Sequence, residues 1–398
     1  MVSYLIKLAA LAAVIAPVFA APAPHPGHLK IRNNDANDVV PDSYIIVFNN
    51  DIDAATIESH EKSISSMLSR RDTDGIGAKY TMDLLKGYQI NANAATIAEI
   101  AAKPEVNYVE KDSMVYASDL TTQVKAPWGL GRISHKDKGN RSYVYDTTAG
   151  NGSTVYVVDS GVYTLHEEFG DRASMGVNFV TGSNDIDECG HGTHCAATIA
   201  GSTYGVAKSA KIVGVKVLDS RGIGLNSNII SGIQWVGSNH ASNAVLAMSL
   251  GESFSSAVNS AVKDTYNQGV TIVVAAGNDD KDVSFFSPAS EPTAITVGAI
   301  DYQDTRASFS NFGDLIDVFG PGVNILSAWI GHPTATKLLS GTSMATPHIA
   351  GLAAYLIILE GITTPAAVAS RIQALATSGD VIDAKSTNNL IGYNGNGA

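Results

Sequence analysis

Between residues 150 and 280 the chain carries four short, nearly continuous apolar runs: Val155 to Val158, Ile212 to Val217, Val245 to Leu250 and Thr271 to Ala275. A strand with water on one face alternates apolar and polar residues, whereas a strand covered on both faces is apolar throughout. These runs therefore predict a sheet buried on both sides. Helical spacing near Gly192 to Ile199, Ser227 to Val236 and Ser256 to Asn267 fills the gaps between them. Alternation of this kind predicts an α/β fold, a mostly parallel sheet with helices on both faces. The run Ile349 to Leu359 sits beside a Gly and ends at Glu360, and reads as a buried core helix. Hydrophobic residues are 45% of the chain and charged residues 16%, which excludes a disordered chain, and two cysteines cannot make a disulfide framework. The net charge of −12, without a basic block, excludes the clustered Lys and Arg that nucleic-acid phosphates require.

The amino-terminal third is organised differently. Residues 1–20 carry one cation, Lys7, an apolar stretch from Leu8 to Ala16, and Val18-Phe19-Ala20 before a cut. This is the pattern of a secretory signal peptide, too short for a membrane span, so a secreted protein with no membrane partner is expected. After the Pro-rich stretch Ala21 to Pro26, residues 21–120 read strand, helix, strand, helix, strand: Tyr44 to Phe48, Ala54 to Leu68, Gly87 to Ile90, Ala94 to Ala102 and Val106 to Glu110. That order predicts a small α+β, ferredoxin-like domain, marginal on its own at this size. Residues 121–398 form the larger domain.

In an open parallel sheet, reacting groups collect where strands end and helices begin. Three such junctions carry polar residues. The first strand ends in Asp159-Ser160-Gly161; a helix opens at Gly190-His191-Gly192-Thr193-His194-Cys195; and the core helix is preceded by Ser340-Gly341-Thr342-Ser343-Met344-Ala345-Thr346-Pro347-His348. Taken singly, Asp159 reads as a turn residue, His191 as a cap and Ser343 as an N-cap. Together they suggest chemistry. A Ser hydroxyl becomes a nucleophile when an imidazole takes its proton, and the imidazole needs a carboxylate to fix its tautomer. Asn278, at the end of the run Thr271 to Ala275, has a carboxamide that could donate to a developing oxyanion.

At these residues the sequence resembles the subtilisin-like serine proteases, most nearly the fungal secreted proteinase K group. The resemblance rests on Val-Val-Asp-Ser-Gly around Asp159, Gly-His-Gly-Thr-His-Cys around His191, Ala-Ala-Gly-Asn ending at Asn278 and Gly-Thr-Ser-Met-Ala-Thr-Pro-His around Ser343, and covers essentially all of residues 121–398. It implies a catalytic triad of Asp159, His191 and Ser343, with Asn278 helping to hold the oxyanion. Residues 43–116 look like the family's inhibitor prodomain, so the protein's own prodomain is the expected intramolecular inhibitor, removed by the enzyme itself. Segments resembling the substrate-binding strands are Gly222, Ile223 and Gly224 after Arg221, and Ser249, Leu250 and Gly251; an extended peptide would pair with both, giving broad specificity toward protein substrates. A cut after Leu120 would leave that side chain in the first pocket, implying a preference for a hydrophobic or aromatic residue before the scissile bond. No cofactor is implied for the chemistry, but the family's calcium site has a counterpart in Asp317 with the carbonyls of Pro292 and Ala294. A monomer is expected.

Two positions depart from the family pattern. Glu252 stands where a second Gly follows Gly251, and Ala197 replaces another usual Gly behind His191. These motivate an alternative, a catalytically impaired secreted binding protein on the same fold. Cys189, His191, His194 and Cys195 also form CxHxxHC, which could read as a zinc site, but metal would occupy the base's nitrogen and the resemblance implies that Cys195 is the family's buried free thiol; a Cys189 to Cys195 disulfide is a further alternative. Arg70-Arg71 reads as a dibasic cut or a loop. Asn140-Arg141-Ser142 and Asn151-Gly152-Ser153 are glycosylation sequons.

Overall fold

The computed structural model describes residues 31–32, 39–68, 75–113 and 120–397. The expected leader 1–20, the stretch Ala21 to Pro26, Arg70-Arg71 and Ala117-Ser118-Asp119 lie outside the described residues. The chain divides into two compact units, Met1–Val115 and Tyr116–Ala398.

In the first unit, a five-stranded sheet runs in the spatial order Ile31–Arg32, Val106–Ser113, Val39–Phe48, Lys86–Asn91, Gly75–Thr81. Helices Ala54–Leu68 and Ala94–Ala101 join one core with it, built from Ile46, Phe48, Tyr88, Ile90 and Val109 of the sheet and Ile64, Leu68, Ile97 and Ile100 of the helices. The five expected elements are present. Strand Gly75–Thr81 was not anticipated, because its two glycines and exposed polar residues show no period-two pattern. It is held by pairing to Lys86–Asn91.

The second unit is organised by a nine-stranded sheet in the order Thr377–Ser378, Leu390–Ile391, Val318–Pro321, Ile295–Ile300, Thr271–Ala275, Ala244–Met248, Thr154–Asp159, Lys211–Lys216, Ala173–Asn178. Every neighbouring pair is parallel except Thr377–Ser378 with Leu390–Ile391. The apolar runs divide their side chains between two cores. Val155, Val157, Val245, Ala247 and Val273 face one, and Tyr156, Val158, Leu246, Met248 and Val274 face the other. Helices Asn226–Asn239 and Ser256–Asn267 cover the second face through Ile229, Ile233, Val258 and Val262. His191–Ala200 and Thr342–Glu360 cover the first.

These last two helices touch closely. A Cβ on Gly351 would come within 2.8 Å of Val206 and 3.0 Å of the Ile199 carbonyl, so only glycine lets the backbones approach. Thr342–Glu360 is long and apolar enough to cross a bilayer, but 83% of its most apolar window is buried inside the unit, as expected of a core helix. The strand order reverses at Thr154–Asp159, which lies between Lys211–Lys216 and Ala244–Met248. At such a switch point the strand's carboxyl end opens into a crevice. Asp159 is the residue placed there.

Candidate active site

Asp159 is the last residue of its strand and is fully buried. Its carboxylate is aimed rather than free: Oδ1 accepts the Ser160 N–H at 2.7 Å, and Oδ1 and Oδ2 lie 2.8 and 3.0 Å from His191 Nδ1. Beside a carboxylate that nitrogen carries the proton, which leaves Nε2 as the acceptor. His191 is the first residue of its helix, not a cap, with 25% of its side chain exposed. Gly192 makes this approach possible, since a Cβ there would fall 2.1 Å from the Gly161 carbonyl oxygen. Burial favours the neutral imidazole, but the charge and hydrogen bond of Asp159, with the charge of Asp187, outweigh it and raise the His191 pKa above its ordinary value.

Ser343 is the second residue of helix Thr342–Glu360, whose N-cap is Gly341. The reading of Ser343 as an N-cap is therefore corrected. Its hydroxyl donates to the Ser249 carbonyl at 2.9 Å, and no hydrogen bond joins it to His191 among the described residues. Catalytic hydrogen bonds in substrate-free sites are often loose and tighten when substrate arrives. The Asn278 side chain is held by Thr342. Asn278 Oδ1 accepts both the Thr342 N–H at 2.8 Å and the Thr342 hydroxyl at 3.0 Å. A backbone N–H is an obligatory donor, so the amide oxygen must face it and Nδ2 is left as the outward donor. The Ser343 N–H lies in the first helical turn, where no intrahelical acceptor is available.

The CxHxxHC residues are not assembled as a metal site. Nε2 of His194 lies 3.1 Å from the carbonyls of Ile325 and Lys337, and Cys189 is outside the cluster of donor atoms found among the described residues, Asp159, His191 and Cys195. Both cysteines are free, which corrects the disulfide alternative. Burial pushes the Cys195 thiol well above its ordinary pKa, and its Sγ donates to the Ser343 carbonyl at 3.3 Å.

Beside Ser343 lies a cleft of about 410 Å³, lined by Leu250, Gly251, Ala275, Ala276, Gly277 and Phe286, with Glu252, Asp279 and Lys281 among its charged residues. Glu252 is exposed in the short strand Glu252–Ser253, which pairs with Phe286–Ser287, and its Oε1 accepts the Ser253 N–H at 3.1 Å. A larger cavity of about 640 Å³, around Trp128, Tyr204, Tyr302 and Leu338, contains none of Asp159, His191 or Ser343. A turn over residues 219–222, closed by the Gly222 N–H on the Asp219 carbonyl at 2.9 Å, precedes Ile223 and Gly224, which lie outside any helix or turn. Asp219 braces this turn: its Oδ1 accepts the N–H groups of Ile223 and Arg221 and its Oδ2 the Arg221 guanidinium, which together hold its carboxyl down at about 2.

Asp317 precedes strand Val318–Pro321, and Pro292 and Ala294 precede the neighbouring strand Ile295–Ile300. The carboxylate accepts the Thr296 N–H at 2.8 Å and the Gln373 amide at 3.1 Å, yet burial raises its pKa to about 6. No ion pair reaches Asp317 among the described residues. Asn140 and Asn151 are both exposed.

Residues 150–394 match the model of the subtilase family, and residues 43–118 match that of the peptidase inhibitor I9 family. The chain belongs to the subtilase family. This subtilase is 56% identical to subtilisin-like protease 2 of Pseudogymnoascus destructans over 98% of its own length and 99% of the relative's. It is 47% identical to alkaline protease 1 of Aspergillus clavatus, with 97% of each chain covered. Among solved structures, a cold adapted subtilisin-like serine proteinase is similar over 68% of this chain and 98% of its own, with a TM-score of 0.66 and 43% identity. The protein is a subtilisin-like serine protease, a hydrolase made with an I9 prodomain. One buried carboxylate beside the site carries no motif of its own: Asp187, an acid four residues before His191.

Proposed function

We propose that the protein is a secreted, broad-specificity endopeptidase in which Ser343 is the nucleophile, His191 the general base and then acid, Asp159 its orienting carboxylate, and Asn278 with the Ser343 N–H the oxyanion hole. The Asp159–His191 pair at 2.8 Å carries this reading, because it fixes the tautomer that leaves Nε2 free to take a proton. Rotation of the Ser343 hydroxyl from the Ser249 carbonyl toward Nε2 starts the reaction. The scissile carbonyl oxygen then gains charge between Asn278 Nδ2 and the Ser343 N–H, His191 returns the proton to the leaving amine, and water repeats the cycle on the acyl-enzyme.

The first pocket is the cleft beside Ser343. Its small floor residues and the walls of Leu250 and Phe286 favour an apolar or aromatic side chain, in keeping with Leu120 as the residue before the processing cut. Glu252 is exposed, so water screens its charge. Residues 21–120 act as the removable inhibitor. Asp317, with the carbonyls of Pro292 and Ala294, suits calcium: the buried carboxylate is short of a positive charge, and a hard oxygen donor set supplies one site for it. Ala197 is fully buried among apolar residues and Glu252 is exposed, so neither supports the reading as an impaired binding protein. Cleavage of a peptide panel, together with sequencing of the mature amino terminus, tests the proposal. Faster cleavage after Phe or Leu than after Lys or Arg, and a start at Thr121, are expected; the reverse preference overturns the pocket assignment.

A further inference from the structure

Asp187 buries its carboxylate, 4% exposed, in the loop ahead of the His191 helix. Oδ1 accepts the Ser160 hydroxyl at 2.9 Å and the N–H groups of Cys189 and Gly190 at 3.0 and 2.8 Å. Oδ2 accepts the N–H and hydroxyl of Thr193 at 2.9 and 2.6 Å. A capping side chain ordinarily satisfies one or two orphan donors at a helix start. This one gathers donors from both sides of the helix start and from the strand end as well. Ser160 is the link: its hydroxyl also accepts the Gly192 N–H at 3.0 Å, and its own N–H holds Asp159 Oδ1 at 2.7 Å.

We propose that Asp187 is a positioning residue for the triad, fixing the strand end that carries Asp159 and the helix start that carries His191 in one register so that their side chains meet. Its buried charge acts too. The titratable groups around the imidazole are Asp159 on the strand, Asp187 and Cys189 in the loop, and His194 and Cys195 on its own helix. The buried Lys216 on the next strand donates to the carbonyls of Ser160 and Leu218 at 2.7 and 3.0 Å. Of these, Asp187 adds to Asp159 in favouring the imidazolium, the form that the transition state develops. Asp187 does not line the cleft beside Ser343, so its effect falls on the chemical step and not on binding.

This inference rests on Asp159, His191 and Ser343 being the triad. The test is Asp187→Asn, which keeps the shape and removes the charge. In the processed enzyme kcat is expected to fall by on the order of 10²-fold, with KM little changed, as misplacement of a catalytic pair does. The acid limb of kcat/KM should move to lower pH. Ser160→Ala cuts the link but keeps the charge, so kcat should fall with the acid limb in place. Wild-type kcat and acid limb in Asp187→Asn, whatever its melting temperature, overturn the proposal; a kcat loss without movement of the limb overturns its electrostatic half. Should Asp187→Asn fail to fold, wild-type kcat in Ser160→Ala overturns it. Activity in a parallel Ser343→Ala variant would instead remove the triad reading itself.

Discussion

Asp317→Asn measures what a buried carboxylate costs when its cation is withheld. Burial raises the Asp317 pKa from 3.8 to about 6, a shift of roughly two units, or about 3 kcal/mol at 1.36 kcal/mol per unit. Because the folded-state pKa is the higher one, the contribution of protonated Asp317 to the stability of the metal-free enzyme is fully present below about pH 4. That contribution is lost as pH rises through about 6. Asn carries no charge and still accepts the Thr296 N–H, while Gln373 can turn its amide to meet the new NH2 group. In chelator at pH 8 the substitution should therefore stabilise by about 2 kcal/mol, roughly 4 to 8 °C for a domain of this size. With calcium the order should invert, since only the wild type gains binding energy. The assay is thermal unfolding of mature enzyme inactivated by a sulfonyl fluoride, which prevents autolysis, at one scan rate with chelator or calcium at pH 5 and pH 8. A wild type indifferent to calcium, with Asp317→Asn no more stable than wild type in chelator at pH 8, would refute the reasoning.

Asn278→Ala should lower kcat by about 10² to 10³-fold with KM nearly unchanged, the magnitude known for the equivalent donor in subtilisin, as steady-state kinetics on a chromogenic peptide will show. His191 must be neutral to accept a proton and its pKa is raised, so kcat/KM should climb with pH through a midpoint above 6.5; a midpoint below that value contradicts the Asp159 and Asp187 electrostatics. Glu252→Gly should change the ratio of cleavage after Phe to cleavage after Lys by no more than about 5-fold on a peptide panel, since an exposed charge is weakly felt.

What could be read from the sequence was whatever leaves a local trace. Val155 to Val158 and Thr271 to Ala275 are apolar at nearly every position because each strand feeds two cores, and that requirement is written in consecutive residues. The glycines around His191 likewise mark a close approach that no larger residue allows. The edge strand Ala173–Asn178 is half-buried, with Ser, Gly and Asn among its residues, so only its pairing to Lys211–Lys216 makes it a strand. Asp187 was missed for a related reason. Three of the donors that define its role are main-chain N–H groups, which every residue but proline owns. The turn of the Ser343 hydroxyl toward Ser249, and the use of His194 as a tie to Ile325 and Lys337, depend on partners more than ninety residues away. A CxHxxHC spacing could not reveal that His194 Nε2 is taken up by those two carbonyls.

The account stands on Ser343 being activated by His191 and Asp159. The most direct measurement treats pure mature enzyme with a fluorophosphonate and maps the adduct by peptide mass spectrometry as activity is lost. A single adduct on Ser343, accumulating in step with inactivation, is the predicted result. Complete inactivation with Ser343 unmodified, or full activity with Ser343 fully labelled, would contradict it.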